Sequence, residues 1–443
     1  MKTPVIPNQE IIRKAREEIE RKSGKAPEEL FAERDKRVRD TIDLKVPDRV
    51  PVAMAGDYFH LKNAGVPLPA LFYNHPAYKQ AFIRSLLDFE PDACMLTPHM
   101  VSGLAMEALD MKQVRWPGGT LPPDSTHQFI ETENMKVEEY DLFITDPTDF
   151  MLRYYLPRVF GAMAPLSELP PLGETFGGTF SGFLKMTQFF ASPEFQEAAQ
   201  AVLKAGQEQA KFGEFSNWEE EISDLGFPPT YYLGGGLGEP FMFVACFLRG
   251  LRGTVTDMFL RPEKLQAASE RVLEWKLARA EPADPTKRGY PRRVRAGGFH
   301  YSSDRFLSKK QFATFSWPTW KKALLATIDL GYIPALVGEG KTDDRLEFLL
   351  ELPKGKFFVR FDEVDMARAK AILGGHCCIA GNVPAALLQF GSPQDVDEYC
   401  KNLIKVCGKG GGFILDCARG LGENAKPANV KAMMDSVKKY GRY

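Results

Sequence analysis

Residues 357–417 read FFVRFDEVDMARAKAILGGHCCIAGNVPAALLQFGSPQDVDEYCKNLIKVCGKGGGFILDC. Short apolar runs at Phe357–Phe361, Cys378–Ala380 and Gly412–Leu415 alternate with helical periodicity over 364–373 and 394–407. An extended segment followed by a helix, repeated, is the signature of parallel βαβ units. Working back from this stretch, the same alternation gives strands at Ile333–Val337, Val294–Phe299, Thr230–Leu233, Ala93–Thr97 and Val50–Ala55. Helical patterns at 76–89, 186–212, 262–281, 309–328, 342–351 and 427–440 fill the gaps. Eight strands in this order predict an α/β protein, a (β/α)8 TIM barrel.

Two parts lie outside the repeat. Residues 9–47 read as charged amphipathic helix broken near Gly24–Pro27, so residues 1–48 form an N-terminal helical extension to a barrel over 49–443. The interval from about 103 to 229 is too long for one crossover and holds the Pro/Gly-rich stretches WPGGTLPPDS and LSELPPLGETFGG. It reads as an inserted lid or subdomain, in which HQFIETENMKVEEYDLFI suggests a hairpin followed by a helix.

Composition narrows the function. The 443 residues carry 57 basic and 58 acidic side chains, a net charge of -1, which argues against binding nucleic acid. No run of roughly 18 apolar residues suggests a membrane span. The charged N-terminus lacks the apolar core of a signal peptide, so a cytoplasmic location is expected. Seven cysteines are present without a CxxC pair, and most of them read as buried apolar fillers. GGGLG at 234–238 lacks dinucleotide-fingerprint spacing, and GGG at 410–412 reads as a loop.

Four segments carry a resemblance: GEPFMFVACFLRGLRGTVTDMFLRPEKL (238–265), HYSSDRFLSKKQFATFSWPTWKKAL (300–324), FDEVDMARAKAILGGHCCIAGNVPAALLQFGSPQDV (361–396) and GGFILDCARGLGENAKPANVKAMMD (411–435). Together they resemble the uroporphyrinogen decarboxylase superfamily, and the third is similar to its methylcobamide:coenzyme M methyltransferase branch. The resemblance implies a corrinoid-dependent methyltransferase that moves a methyl group between a small donor or acceptor and the cobalt of a corrinoid protein. It also implies zinc, held by His-x-Cys after the fifth strand and a cysteine after the eighth. Here Val337-Gly338-Glu339 stands in place of His-x-Cys. Cys417 lies near the last ligand, while strict spacing would put Arg419 there. True decarboxylases of the superfamily carry an arginine-rich loop after the first strand; this chain has AGDYFHLKNAGVP instead.

Barrel logic places functional side chains at the strand carboxyl ends. Glu339, inside a Gly-Glu-Gly turn, suits a metal ligand or general base, or equally a cap for the next helix. His300 suits a metal ligand or proton shuttle, or a structural histidine. Cys417 suits a zinc thiolate or a buried free thiol. Asp416 is its alternative, since only one of two successive strand residues faces inward. Asp362 is a candidate acid, or with Glu363 a favourable charge at a helix start. Asp57, His60, His99 and Asn382 are candidate substrate or corrinoid contacts. The set therefore names Glu339, His300 and Asp362 as catalytic and Glu339, His300 and Cys417 as metal-binding. His376, Cys377 and Cys378 begin a strand and belong to the stability face. His75 and His127 are expected on the surface. The phenylalanines at 176, 180, 183, 189 and 190 suit an apolar pocket or plain core.

Two rival functions stay open. A cofactor-free decarboxylase or lyase needs Arg345, Arg360 and Arg419 in the mouth. A non-catalytic corrinoid- or tetrapyrrole-binding protein needs tight cobalamin binding without turnover. A homodimer is compatible with every reading.

Overall fold

The computed structural model describes residues 8–96, 101–171, 173, 180–213, 218–232, 237–283 and 294–443. The chain divides into two compact units, one of residues 1–99, 217–240 and 275–443, the other of 100–216 and 241–274.

The first unit is the barrel. Its strands are β1 (Ala53–Met54), β2 (Ala93–Leu96), β3 (Pro229–Tyr232), β4 (Val294–Phe299), β5 (Ile333–Gly338), β6 (Phe358–Arg360), β7 (Cys378–Val383) and β8 (Phe413–Cys417). All pair in parallel and in sequence order. Val52 bridges Leu415 in parallel, and Leu415 N donates to the Pro51 carbonyl at 2.9 Å, which closes the sheet on itself. β1 is shorter than the apolar run predicts because Pro51 has no N–H to give the ladder and Val52 N donates to the Asp92 carboxylate instead. β7 and β8 run longer, to Val383 and Cys417, because they remain in register with each other.

Alternation decides what the barrel interior holds. Ala53, Ala55, Ala93, Met95, Ala335, Val337, Phe358, Cys378, Ala380 and Ile414 form one buried cluster. Burying each large apolar side chain of this kind stabilises the fold by roughly 1.5–3 kcal/mol. Residues two further along each strand, Glu339, Arg360, Asn382 and Asp416, share the same phase and are polar. The interior is thus apolar below and charged toward the carboxyl ends.

The N-terminal extension forms two helices, α1 (Asn8–Ser23) and α2 (Pro27–Ile42). Gly24 takes a positive φ of 68° between them, and Pro27 opens the first turn, where its missing N–H leaves no bond unmade. Val38 and Ile42 of α2 join the barrel-core cluster. Asp92 anchors the same helix: it accepts from Arg37 Nη1 at 2.7 Å, from both Arg49 Nη atoms and from Val52 N.

The loop before β8 depends on a glycine. Gly411 has φ +81°, and a Cβ there would stand 2.9 Å from the Lys45 carbonyl oxygen. Gly411→Ala is expected to cost about 1–3 kcal/mol through left-handed strain and this contact. Urea denaturation checks it; an unchanged midpoint would show that the loop adjusts freely.

The second unit is helical, with a short antiparallel ribbon of Val114–Arg115 and Gln128–Phe129. The hairpin expected within HQFIETENMKVEEYDLFI is therefore made with an upstream partner, and the predicted helix follows at Tyr140–Thr145. The unit's centre is polar. Asp257, fully buried, accepts from Tyr140 Oη at 2.8 Å and from Arg249 Nε at 2.7 Å. Arg249 also donates to Glu133 and to the Met135 carbonyl. Among the described residues, no helix is long and apolar enough to cross a membrane.

Candidate functional site

The strand carboxyl ends bring several predicted residues together. His300 follows β4 and Glu339 follows β5; Phe299 and Gly338, the residues before them, pair in register. His300 Nδ1 lies 2.7 Å from Glu339 Oε2, and both side chains are more than one-third exposed. Arg419, beyond β8, places Nη2 3.5 Å from the same Glu339 oxygen and Nε 3.8 Å from Asp362 Oδ2. Asp362 is nearly buried and accepts from Gly340 N at 2.8 Å. Four residues, from three successive strand ends and the last, thus form one charged cluster.

Electrostatics follow from these contacts. Burial alone would lower the His300 pKa, but the hydrogen bond and charge of Glu339, with Glu239 behind, hold it above its ordinary value. Burial would raise Glu339; His300, Arg419 and Arg360 outweigh it and hold the carboxyl low. Burial raises Asp362 despite its bond from Gly340. Each carboxylate keeps its role distinct by its surroundings.

Glu239 was not among the predicted residues. It is fully buried, and Ser302 Oγ donates to its Oε2 at 2.9 Å while Ser316 Oγ donates to its Oε1. Burial, opposed by those hydroxyls and by His300 and Arg345, pushes its carboxyl up to about 7. The sequence signal for it was a carboxylate between Gly238 and Pro240 that opens an otherwise apolar run, PFMFVACF.

Other predicted residues are tied into the scaffold, some beside the cluster and some away from it. Cys417 is out of phase with the inward row; its Sγ faces the Ala55 carbonyl at 3.7 Å, and burial pushes its thiol up to about 12. Asp416 does face inward, where Arg360 Nε pairs with it at 2.9 Å and Cys417 N donates to it at 2.7 Å. Asn382 donates through Nδ2 to the Asp362 and Val364 carbonyls and accepts from Tyr399 Oη at 3.3 Å, which ties its amide to the scaffold. His60 is turned inward by helix α3 (Tyr58–Asn63) against Phe59 and Phe82, and burial lowers its pKa to about 4. Asp57, just before α3, acts electrostatically on His60 and Tyr78. His99, Phe176 and the side chains of Phe180 and Phe183 lie outside the described residues. His75 is buried, not on the surface: it stacks on Trp218 and accepts from its Nε1 at 2.7 Å.

Zinc requires three or four converging donors. Among the described residues no three His, Cys, Asp or Glu side chains converge in that way. His300 and Glu339 are bonded to each other, and the Cys417 thiol faces a carbonyl across the strand. The set His300, Glu339 and Cys417 does not fit the metal. All seven cysteines are buried. Ellman's reagent is therefore expected to titrate none of them quickly in the native protein and all of them after denaturation; a fast native equivalent at Cys417 would contradict its placement.

The arginines of the decarboxylase reading separate. Arg345 is buried and donates to the Ser302 and Leu307 carbonyls; Arg360 is buried against Asp416 and the Cys417 carbonyl. Arg419 is exposed beside two carboxylates. No three-guanidinium pocket for a polycarboxylate is assembled by them.

The family model for uroporphyrinogen decarboxylase matches residues 227–440. The uroporphyrinogen decarboxylase of Chlorobium phaeovibrioides is 28% identical over 78 residues, 17% of this chain and 22% of that protein. That of Pseudoalteromonas atlantica is 26% identical over 77 residues, 17% and 21%. These matches span about a fifth of the relatives' length. A solved methyltransferase from Methanosarcina mazei superposes with a TM-score of 0.57 at 14% identity, covering 92% of this chain and 98% of that one. The fold is shared across nearly the whole chain, and the match over residues 227–440, from β3 to the last helix, supports kinship with the uroporphyrinogen decarboxylase superfamily.

Proposed function

We propose that the protein is an enzyme of methyl transfer, moving a methyl group between a small substrate and the cobalt of a corrinoid carried by a separate protein. The observation that supports this most is the His300–Glu339 pair at the strand carboxyl ends, 2.7 Å apart and open to solvent. A methyl group on an ether oxygen or a neutral amine nitrogen transfers readily only if the heteroatom is protonated as its bond to carbon breaks. Against the opposing effect of burial, the Glu339 hydrogen bond and charge hold the His300 pKa above its ordinary value, which favours the imidazolium that supplies that proton. With Nδ1 engaged by Glu339, the proton passes from Nε2. The donor's carbon–heteroatom bond breaks, its electron pair stays on the heteroatom, and His300's proton joins it. The methyl carbon goes to the reduced corrinoid, the second substrate, which brings the electron pair for the new bond. Glu339 fixes the ring's tautomer and orientation, and Arg419 balances the two carboxylates beside it.

The decarboxylase reading is weaker, since Arg345 and Arg360 are engaged internally. An anaerobic assay separates the readings. Purified protein is mixed with reduced free cobalamin and with donors bearing methyl on oxygen, nitrogen or sulfur, and methylcobalamin is followed by absorbance. Methylation above the uncatalysed rate with one donor class is expected. Tight cobalamin binding without methylation from any donor would leave a binding protein, and neither would sink the corrinoid reading.

A further inference from the structure

Glu239 lies between β3 and the helix that begins at Pro240. Taking a carboxylate out of water is costly unless donors replace the solvent. The donors here are two fully buried hydroxyls from different elements: Ser302, two residues beyond His300, and Ser316, just before the helix Trp317–Asp329. Ser302 is also held from its other side. Its carbonyl accepts from Arg345 Nε at 3.0 Å, and Arg345 Nη2 donates to the Leu307 carbonyl. Arg345 further pairs with Asp304 at 3.3 Å. The segment 300–308 that begins with His300 is therefore clamped between a buried carboxylate and a buried guanidinium. Packing alone does not call for this, because apolar groups of similar volume can replace buried charges without loss of stability. Catalytic groups, by contrast, need their supporting backbone held to within a fraction of an ångström.

We propose that Glu239 is a positioning residue for His300, acting through Ser302 to fix the backbone on which the His300–Glu339 pair is built. The inference rests on His300 being the proton donor. Glutamine can keep both contacts, accepting from one serine and donating to the other, whereas alanine loses both.

The test uses E239A, E239Q and S302A with two readouts. In the methyl-transfer assay, E239A is expected to lower kcat about 100-fold with KM little changed, and E239Q to restore most of it. The second readout is the His300 ring resonance by NMR, tractable with six histidines and assigned through H300Q. E239A and S302A should shift or broaden it while leaving that of His376 in place; E239Q should not. If no donor supports turnover in the wild type, the methyl-transfer reading falls and the His300 resonance still decides the positioning role. If E239A does not fold, S302A decides. An unmoved His300 resonance in S302A, or equal losses in E239A and E239Q, would overturn the proposal.

Discussion

His300→Gln is expected to lower the rate of methyl transfer by about 10²–10⁴-fold, the usual contribution of a positioned general acid. Glutamine keeps a polar side chain of similar reach but holds no transferable proton. The loss should fall on kcat more than on KM, because the proton moves only as the bond breaks. The pH profile carries the sign. The acid form of His300 is active, so the rate falls as pH rises through its pKa, which Glu339 holds above 6.5. Glu339 must be ionised, and its carboxyl is held below 4.5, so the acid limb lies below that value. The pair's contribution to stability spans the same window: His300's part is lost as pH rises through its raised pKa, and Glu339's as pH falls through its lowered one. Glu339→Gln removes the largest influence holding His300 up, so the alkaline limb should move to lower pH. Initial rates across pH for the wild type and both variants check this. A threefold or smaller loss in H300Q, or an alkaline limb that stays put in E339Q, would remove His300 as the acid.

Asp257→Ala is expected to destabilise the protein by about 3–5 kcal/mol, the range for breaking a buried ion pair by deleting one partner. The carboxylate is fully buried, and its loss leaves Tyr140 Oη without its acceptor and Arg249 without its Nε partner. Arg249 is itself 3% exposed and keeps Glu133 and the Met135 carbonyl, so the lower part of the range fits better. Equilibrium unfolding in urea, with the slope checked for constancy, measures the change. A loss under about 1 kcal/mol would mean that water reaches the guanidinium and that the network is not a dry core.

The strand pattern was legible because alternation of short apolar runs with helices is a local property. Ile333–Val337 and Phe357–Phe361 were each placed within a residue or two of the observed strands. The turn around Glu339 was legible for the same reason, since glycines on both sides mark a carboxylate that the backbone leaves open. Cys417 and Asp416 were not separable from sequence. Period two says that one of them faces inward, but the phase comes from pairing, and β8 registers Asp416 against Asn382 of β7. Glu239 was hidden because its partners are 63 and 77 residues away.

By itself, then, the sequence determined the order of eight strands and the helices between them, and placed His300 and Glu339 after β4 and β5, because these depend on apolar pattern and spacing along the chain. Only the tertiary structure decided which of those residues meet: His300 with Glu339, Arg360 with Asp416, and Glu239 with two serines. Charged groups choose partners by distance and burial, and both are set by register between strands and by the elements packed behind them.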